Sequence, residues 1–434
     1  MSTKKGLRRW AVLAAASGMV AVAAAAARAD VVADQAAAII IFPKIEVDAR
    51  TNPAPMTGNI DTIVQVTNTS NSVARARCFY VRASSLCVGG TAEGTVCTTD
   101  DNCGGGHCTP QWQERDFQLF LTKRQPLEWR ASQGLLSQCP PSIANPEDPV
   151  NGCPENRIPL SGGRVAQNQA GGPPQDNGDT FVPPTEDQFV GELKCVEVNA
   201  VDETPIDLND LKGEATIVRT AAVGAVDVRK YNAIGIQSAA SPDGDPSTLT
   251  IGGPGAEYNA CPNVIILDHF FDSNGGTGVT THAGSNPVSA GVATNLVVVP
   301  CSEDFLTQNA HFGDATLQFL IYNEFEQRFS TSTRVSCYRD VKLSDIDTRP
   351  GPNDDATSIF SASVQGTLTG QSRIRAVPTA TGAHKVLAIV EESWDAQSSE
   401  LGVHKTARNV QNIQPVNPDD PAQSDFILLS PVQE

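Results

Sequence analysis

The chain has 434 residues, with 31 Lys and Arg against 49 Asp and Glu, a formal charge of −18. That balance argues against partners that are themselves polyanions held by bulk charge, nucleic acid and anionic lipid above all. Hydrophobic residues make up 40 %, enough for globular cores, while 35 Gly and 29 Pro favour sheets and loops over helices.

The first 29 residues read as an export signal. Lys4, Lys5, Arg8 and Arg9 form a basic start, residues 10–27 are an alanine-dominated apolar run, and Ala27-Arg28-Ala29 fits a cleavage site before Asp30. Left uncut, such a run could span a membrane, so a retained anchor is the competing reading. Arg8-Arg9 lacks the rest of a twin-arginine pattern, which points to general secretion, to the exterior, the periplasm or the cell surface. No later stretch approaches the ~18 apolar residues of a spanning helix. Cleavage would remove five of the 31 basic residues and no acidic ones, leaving 26 against 49, a charge of −23. Eleven cysteines in an exported chain argue for disulfides, and the odd number leaves one over.

Residues 38–47 (AIIIFPKIEV) predict a strand, with Pro43 suiting a sheet edge. Residues 61–81 predict a β-hairpin. Ile63, Val64 and Val66 are β-branched, Asn68-Thr69-Ser70-Asn71 carries turn chemistry, and Ala74, Ala76, Cys78 and Tyr80 then alternate with Arg75, Arg77 and Phe79. Residues 85–110 interrupt the domain with Cys87, Cys97, Cys103 and Cys108. With almost no apolar side chains, this insertion needs two local disulfides among those four cysteines. Zinc is the alternative there, weakened by the absence of tight C-x2-C pairs.

Residues 112–126 resume the sheet with Phe117, Leu119 and Leu121 on one face. Residues 132–184 form a second insertion rich in Pro, Gly and Asn, within which Cys139 and Cys153 could close a loop. Strands follow at 191–199, 213–220 and 226–237, and a weak helix candidate lies at 207–212. About seven strands in residues 30–237 match an immunoglobulin-like sandwich. Residues 238–257, rich in Gly, Pro and Asp, read as a linker.

Residues 258–434 repeat the design, with strands at 264–271, 295–300, 359–377, 385–391 and 426–429 and a hairpin within 315–341. The expected fold is therefore all-β, two immunoglobulin-like sandwiches with long loop insertions. Long-loop closure makes Cys78–Cys195 the favoured bridge of the first domain. In the second, Cys261 and Cys301 flank prolines at strand ends, so they are the favoured pair, with Cys337 left as a buried thiol. Cys301–Cys337 is the runner-up.

The insertion at 85–110 resembles short cysteine-rich repeats of secreted bacterial proteins. Thr67-Asn68-Thr69-Ser70 with residues 78–81, and residues 323–327 with Phe329, Ser330, Ser332 and Thr333, resemble segments of secreted bacterial β-sandwich proteins. The resemblance implies export and a sandwich, and brings no activity with it.

No nucleophile elbow, zinc-binding H-E-x-x-H, P-loop or dinucleotide fingerprint occurs. The densest chemistry is Asp268-His269-Phe270-Phe271-Asp272, whose alternation in a strand puts the two aspartates on one face and the histidine on the other. Asp243, Asp245, Asp354, Asp355, Asp419 and Asp420 lie in turn-like stretches and are the candidates for a bound calcium, although none has the spacing of a calcium loop. Asn323-Glu324-Phe325-Glu326-Gln327 sits at a hairpin tip, a place suited to recognition. The sequence favours a non-catalytic envelope or extracellular protein, structural, adhesive or binding, with no cofactor and an extracellular or envelope protein or glycan as partner. A carbohydrate-active enzyme or sugar-binding module on the same scaffold is the alternative, weakened by the scarcity of Trp and Tyr.

Overall fold

A computed structural model describes residues 31–48, 59–83, 85–95, 97, 100–110, 112–135, 182–186, 188–199, 202–220, 226–240, 245–262, 264–274, 291–350, 356–378, 382–395, 403–409, 411–413 and 424–430. The export signal, Cys139, Cys153, Asp243, Asp354, Asp355, Asp419, Asp420 and most of the insertion at 132–184 lie outside them.

The described residues are nearly all β, and the expectation of two immunoglobulin-like sandwiches is corrected. Five sheets carry three or more strands and two others are two-stranded. The β structure is thus divided among small blade-like sheets, as in a five-bladed propeller. The strand order is interleaved, however, and each large sheet sets distant stretches of chain side by side, unlike the meander of a regular blade.

Two placements show why the immunoglobulin pattern fails. In that fold the last strand lies beside the sixth, and the hallmark disulfide joins the two sheets. Here Leu211–Thr220 leaves Phe189–Val198 and pairs with Asn59–Asn68 in the four-stranded sheet, while Ile39–Val47 takes the place beside Phe189–Val198. The Cys78–Cys195 bridge joins neighbouring strands of one six-stranded sheet, where the two residues stand directly opposite each other.

The hairpin expected at 61–81 is also corrected. Asn59–Asn68 and Ala74–Arg82 are both strands, but they belong to different sheets. Buried Asn68 turns the chain between them. Its Nδ2 donates to the Ser72 carbonyl at 2.7 Å and the Thr122 carbonyl at 3.0 Å, and its Oδ1 accepts from the Ser70 amide at 2.9 Å. The Asx chemistry is that of a tight turn, yet it is spent on an arch between sheets. In the second half, by contrast, Ala315–Asn323 and Arg328–Val335 do pair as an antiparallel hairpin.

Pro43 lies beyond the last residue paired on one side of its strand, so that flank is open there as at an edge, and on the other side it falls in a bulge. Within Ile39–Val47 only Ile39, Ile40 and Ile41 are paired on both sides, and the register with Phe189–Val198 shifts between Phe42 and Ile45. A bulge is the interior setting that a residue without an N–H tolerates. Tyr231 bridges it, its hydroxyl accepting from the Lys44 amide at 3.0 Å and donating to the Lys44 carbonyl.

The weak helix candidate at 207–212 is not helical, and Leu211 opens a strand. The strand expected over 359–377 begins only at Thr369; before it, Ala362–Gln365 is a helical turn closed by Gly366 at φ 69°. The expected linker at 238–257 contains the strand Thr248–Ile251, whose Leu249 and Ile251 are fully buried. That strand pairs with Asp425–Leu428, so the apolar run near the C-terminus docks as a strand. One buried cluster joins Ile39, Phe42 and Val196 of the first half to Ile251, Val297, Leu387 and Ile427 of the second, so the halves share a core.

Candidate functional site

The five-stranded sheet of the second half runs Arg328–Val335, Ala315–Asn323, Thr369–Pro378, Val264–Phe270, Gln411–Ile413. Period-two alternation gives it two unlike faces. Leu317, Phe319, Ile321, Ile265, Leu267 and Ile374 point inward and are buried. The outer face carries Gln318, Leu320 and Tyr322 on one strand, Ser330 and Ser332 on the edge strand, and Gln371, Arg373 and Arg375 on the central one. The register sets Arg328 opposite Tyr322, Ser330–Leu320–Arg373 in one row, Ser332–Gln318–Arg375 in the next, and Arg334 opposite Thr316.

Four guanidinium groups therefore occupy successive rows of one face on a chain whose net charge is −18. Arg334 is held by Asp314 at 3.1 Å. Arg328, Arg373 and Arg375 are exposed, and among the described residues none of them pairs with a carboxylate. Gln318, Leu320, Ser330, Ser332, Arg373 and Arg375 line an open groove of about 660 Å³ across the strands. At one corner Asp268 accepts from Gln371 at 2.9 Å, which neutralises none of the arginines.

A second cleft, of about 260 Å³, lies at the side of the first half. Its charged groups are already engaged. Arg82 holds Glu186 at 2.6 Å, Arg115 donates to the Pro184 carbonyl at 2.7 Å, and Gln308 donates to Glu114 at 3.2 Å. Burial, with the Asp116 charge next, pushes the Glu114 carboxyl up to about 7. A ligand here would have to displace existing partners, whereas the sheet face offers cations and hydroxyls to whatever arrives.

The 268–272 stretch carries no dyad. His269 is buried with its Nε2 2.9 Å from the Ser372 hydroxyl and its ring edge-on to Phe271, while Asp268 is exposed. Burial pushes the His269 imidazole down to about 4. Asp272 is buried elsewhere, accepting from the Thr294 amide at 3.2 Å and facing Lys342 at 3.3 Å. At the hairpin tip, Asn323 is buried and accepts from the amides of Phe325 and Gln327, both at 3.0 Å, leaving Phe325 exposed. The tip is a structural turn with one apolar side chain outside.

The cysteines are engaged as follows. Cys78 is bonded to Cys195, Cys87 to Cys103 and Cys261 to Cys301; Cys337 is a buried thiol. The sulfur atoms of Cys87, Cys97 and Cys103 lie within 4.8 Å of one another, and all three are disulfide-bonded. Oxidised sulfur has no thiolate to give a metal, so this cluster is the small core of its insertion. The Cys108 side chain lies outside the described residues. Of the aspartates considered for calcium, Asp245 is described, and its Oδ1 accepts from the Ser247 amide and hydroxyl as an Asx turn.

Sequence reasoning missed a buried charge cluster between the halves. Lys44 lies 2.7 Å from both Asp340 and Glu391, and Arg229 reaches Glu391 and, at 3.2 Å, Glu46. Burial alone would raise the Glu391 carboxyl; the Lys44 and Arg229 charges reverse this and hold it at about 2. Lys44, Arg229 and Glu391 are each at most 3 % exposed, so the cluster is a structural joint closed to substrate. Its signal in the sequence was charge set in or against an apolar run, Lys44 and Glu46 in AIIIFPKIEV and Glu391 directly after VLAIV.

No family model matches this chain, and no curated protein matches it either. No helix among the described residues is long and apolar enough to cross a membrane.

Proposed function

We propose that this is an exported, non-catalytic binding protein of the cell envelope or exterior, and that the outer face of its five-stranded sheet is the contact surface. The observation that carries the reading is the pair Arg373 and Arg375, exposed, unmatched by a carboxylate among the described residues, and set in an open groove. Leaving cations unneutralised on an acidic protein is consistent with a ligand that supplies the counter-charge. Export is supported by the signal-like first 29 residues and by the disulfide-rich composition. The competing reading is an enzyme acting on a sugar polymer.

The test is fractionation of cells producing the full-length tagged chain, followed by pull-down of envelope material with the mature protein. The expected result is an N-terminus at Asp30 outside the cytoplasm, and retention of envelope material that drops when Arg373→Glu and Arg375→Glu are combined. Cytoplasmic retention, or undiminished capture by the folded double variant, would overturn the reading.

A further inference from the structure

Resting on that reading of the sheet face, we infer that its ligand is a linear acidic polysaccharide, one bearing carboxylate or sulfate groups along its length. The first argument is the chemistry of the cations. All four are Arg, whose planar fork binds carboxylate and sulfate-like oxyanions in bidentate fashion, where Lys offers only a point charge. The second is their layout. Arg328, Arg373, Arg375 and Arg334 advance one row at a time along the strands. By strand geometry a row is ~7 Å and a strand-to-strand step is ~4.8 Å, so the three unpaired ones, Arg328, Arg373 and Arg375, span roughly 14 Å along the strands, with Arg334, held by Asp314, one row beyond. That pattern suits a chain whose anionic groups recur, and a single small anion would use only one of these cations.

The third argument is what lies between the arginines. Ser330, Ser332 and Gln318 present neutral donors and acceptors, which match sugar hydroxyls. A single-stranded nucleic acid would ask for exposed aromatic platforms on which bases stack. Here Tyr322 is the one aromatic of the outer face among the described residues of these rows, and it is only partly exposed. An anionic bilayer would ask for exposed apolar or aromatic side chains to enter the headgroup layer, and Leu320, Val264 and Ile266, apolar residues of this face, are each only partly exposed. The remainder of the molecule is acidic and repels a polyanion, so recognition depends on these close contacts rather than on the long-range field.

The experiment is titration of the mature chain with polygalacturonate, dextran sulfate, neutral dextran, single-stranded DNA and phosphatidylglycerol vesicles. Wild type is compared with Arg373→Glu/Arg375→Glu and with Arg373→Lys/Arg375→Lys, thermal melting confirming that each is folded. The expected result is binding of polygalacturonate or dextran sulfate, none of neutral dextran, at least a tenfold loss in the Glu variant and a smaller loss in the Lys variant. The better of the two acidic polymers identifies the oxyanion. Equal binding of neutral dextran, a preference for DNA or vesicles, or no binding of any probe would overturn the inference. Neutral-dextran binding that still depends on the two arginines would sink the acidic ligand and leave the sheet face standing. Acidic-polymer binding that ignores both arginines would sink the two together.

Discussion

Lys44 can be buried only because its bulge aims it at two carboxylates from the other half of the chain, Asp340 and Glu391. Its ammonium is charged in the fold: burial works against the charge, and the carboxylates of Asp340, Glu46 and Glu391 outweigh that penalty. Removing one partner leaves the others as uncompensated buried charge. Glu391→Gln should therefore destabilise the protein by about 3–5 kcal/mol, measured by denaturant unfolding; a loss under about 1 kcal/mol would mean that the cluster is not a joint. His269 gives the second residue-scale expectation. Its folded pKa of about 4 lies below the ordinary 6.5, so the unfolded chain takes up a proton first as pH falls. Stability is then lost between pH 6.5 and 4, on the order of 3 kcal/mol if the whole shift is expressed. In His269→Gln the loss over that window should shrink; an unchanged slope would assign acid sensitivity elsewhere. Both sites were only half legible. A charge inside an apolar run marks a burial problem, but its partner lies up to 347 residues away, and spacing carries no information about that.

Among the elements, strands were the most legible because period-two alternation is a local signal. The strands at 59–68, 74–82, 113–121 and 315–323 all begin or end within a few residues of their sequence-based bounds. Pairing was not legible, since the same Asn-rich turn chemistry serves a hairpin and an arch. Asn323 caps its turn within one sheet, whereas Asn68 reaches across to Thr122 and carries the chain into another. Pro43 was half legible: proline excludes a regular ladder, and here an open flank on one side and a bulge on the other both satisfy that exclusion. The cysteines were more tractable, because strand faces and loop lengths limit which sulfurs can meet. The free cations of the outer sheet face were invisible as a set, for Arg328, Arg373 and Arg375 come together only through the register of three strands.

At the scale of the molecule, composition and turn density correctly described a β protein, but the stretch they marked as a linker carries buried core residues. Residues 238–257 looked like a linker because Gly, Pro and Asp are dense there, yet Leu249 and Ile251 within them, and Tyr258 just after, are buried in the shared core. Phe79 of the first half stacks on Phe305 of the second with centroids 4.2 Å apart, and Lys194 pairs with Glu303 across the same boundary. A chain comprising residues 30–237 alone would expose that apolar surface and take Asp340, Glu391 and Glu303 away from Lys44, Arg229 and Lys194, leaving them only Glu46 and Glu192 among the described residues. It should bind a hydrophobic dye and unfold without a cooperative transition; a sharp melt matching the full-length protein would show that the halves are independent after all.

The functional account rests on one face of one sheet, and side-chain footprinting reads that face directly. Hydroxyl-radical oxidation of the mature protein, with and without saturating polygalacturonate or dextran sulfate, should show protection at Leu320, Tyr322 and Val264 on the outer face. Oxidation at Leu306 and Trp394, exposed elsewhere on the molecule, should not change. Protection at Leu306 or Trp394 with Leu320 and Tyr322 unaltered would contradict the account.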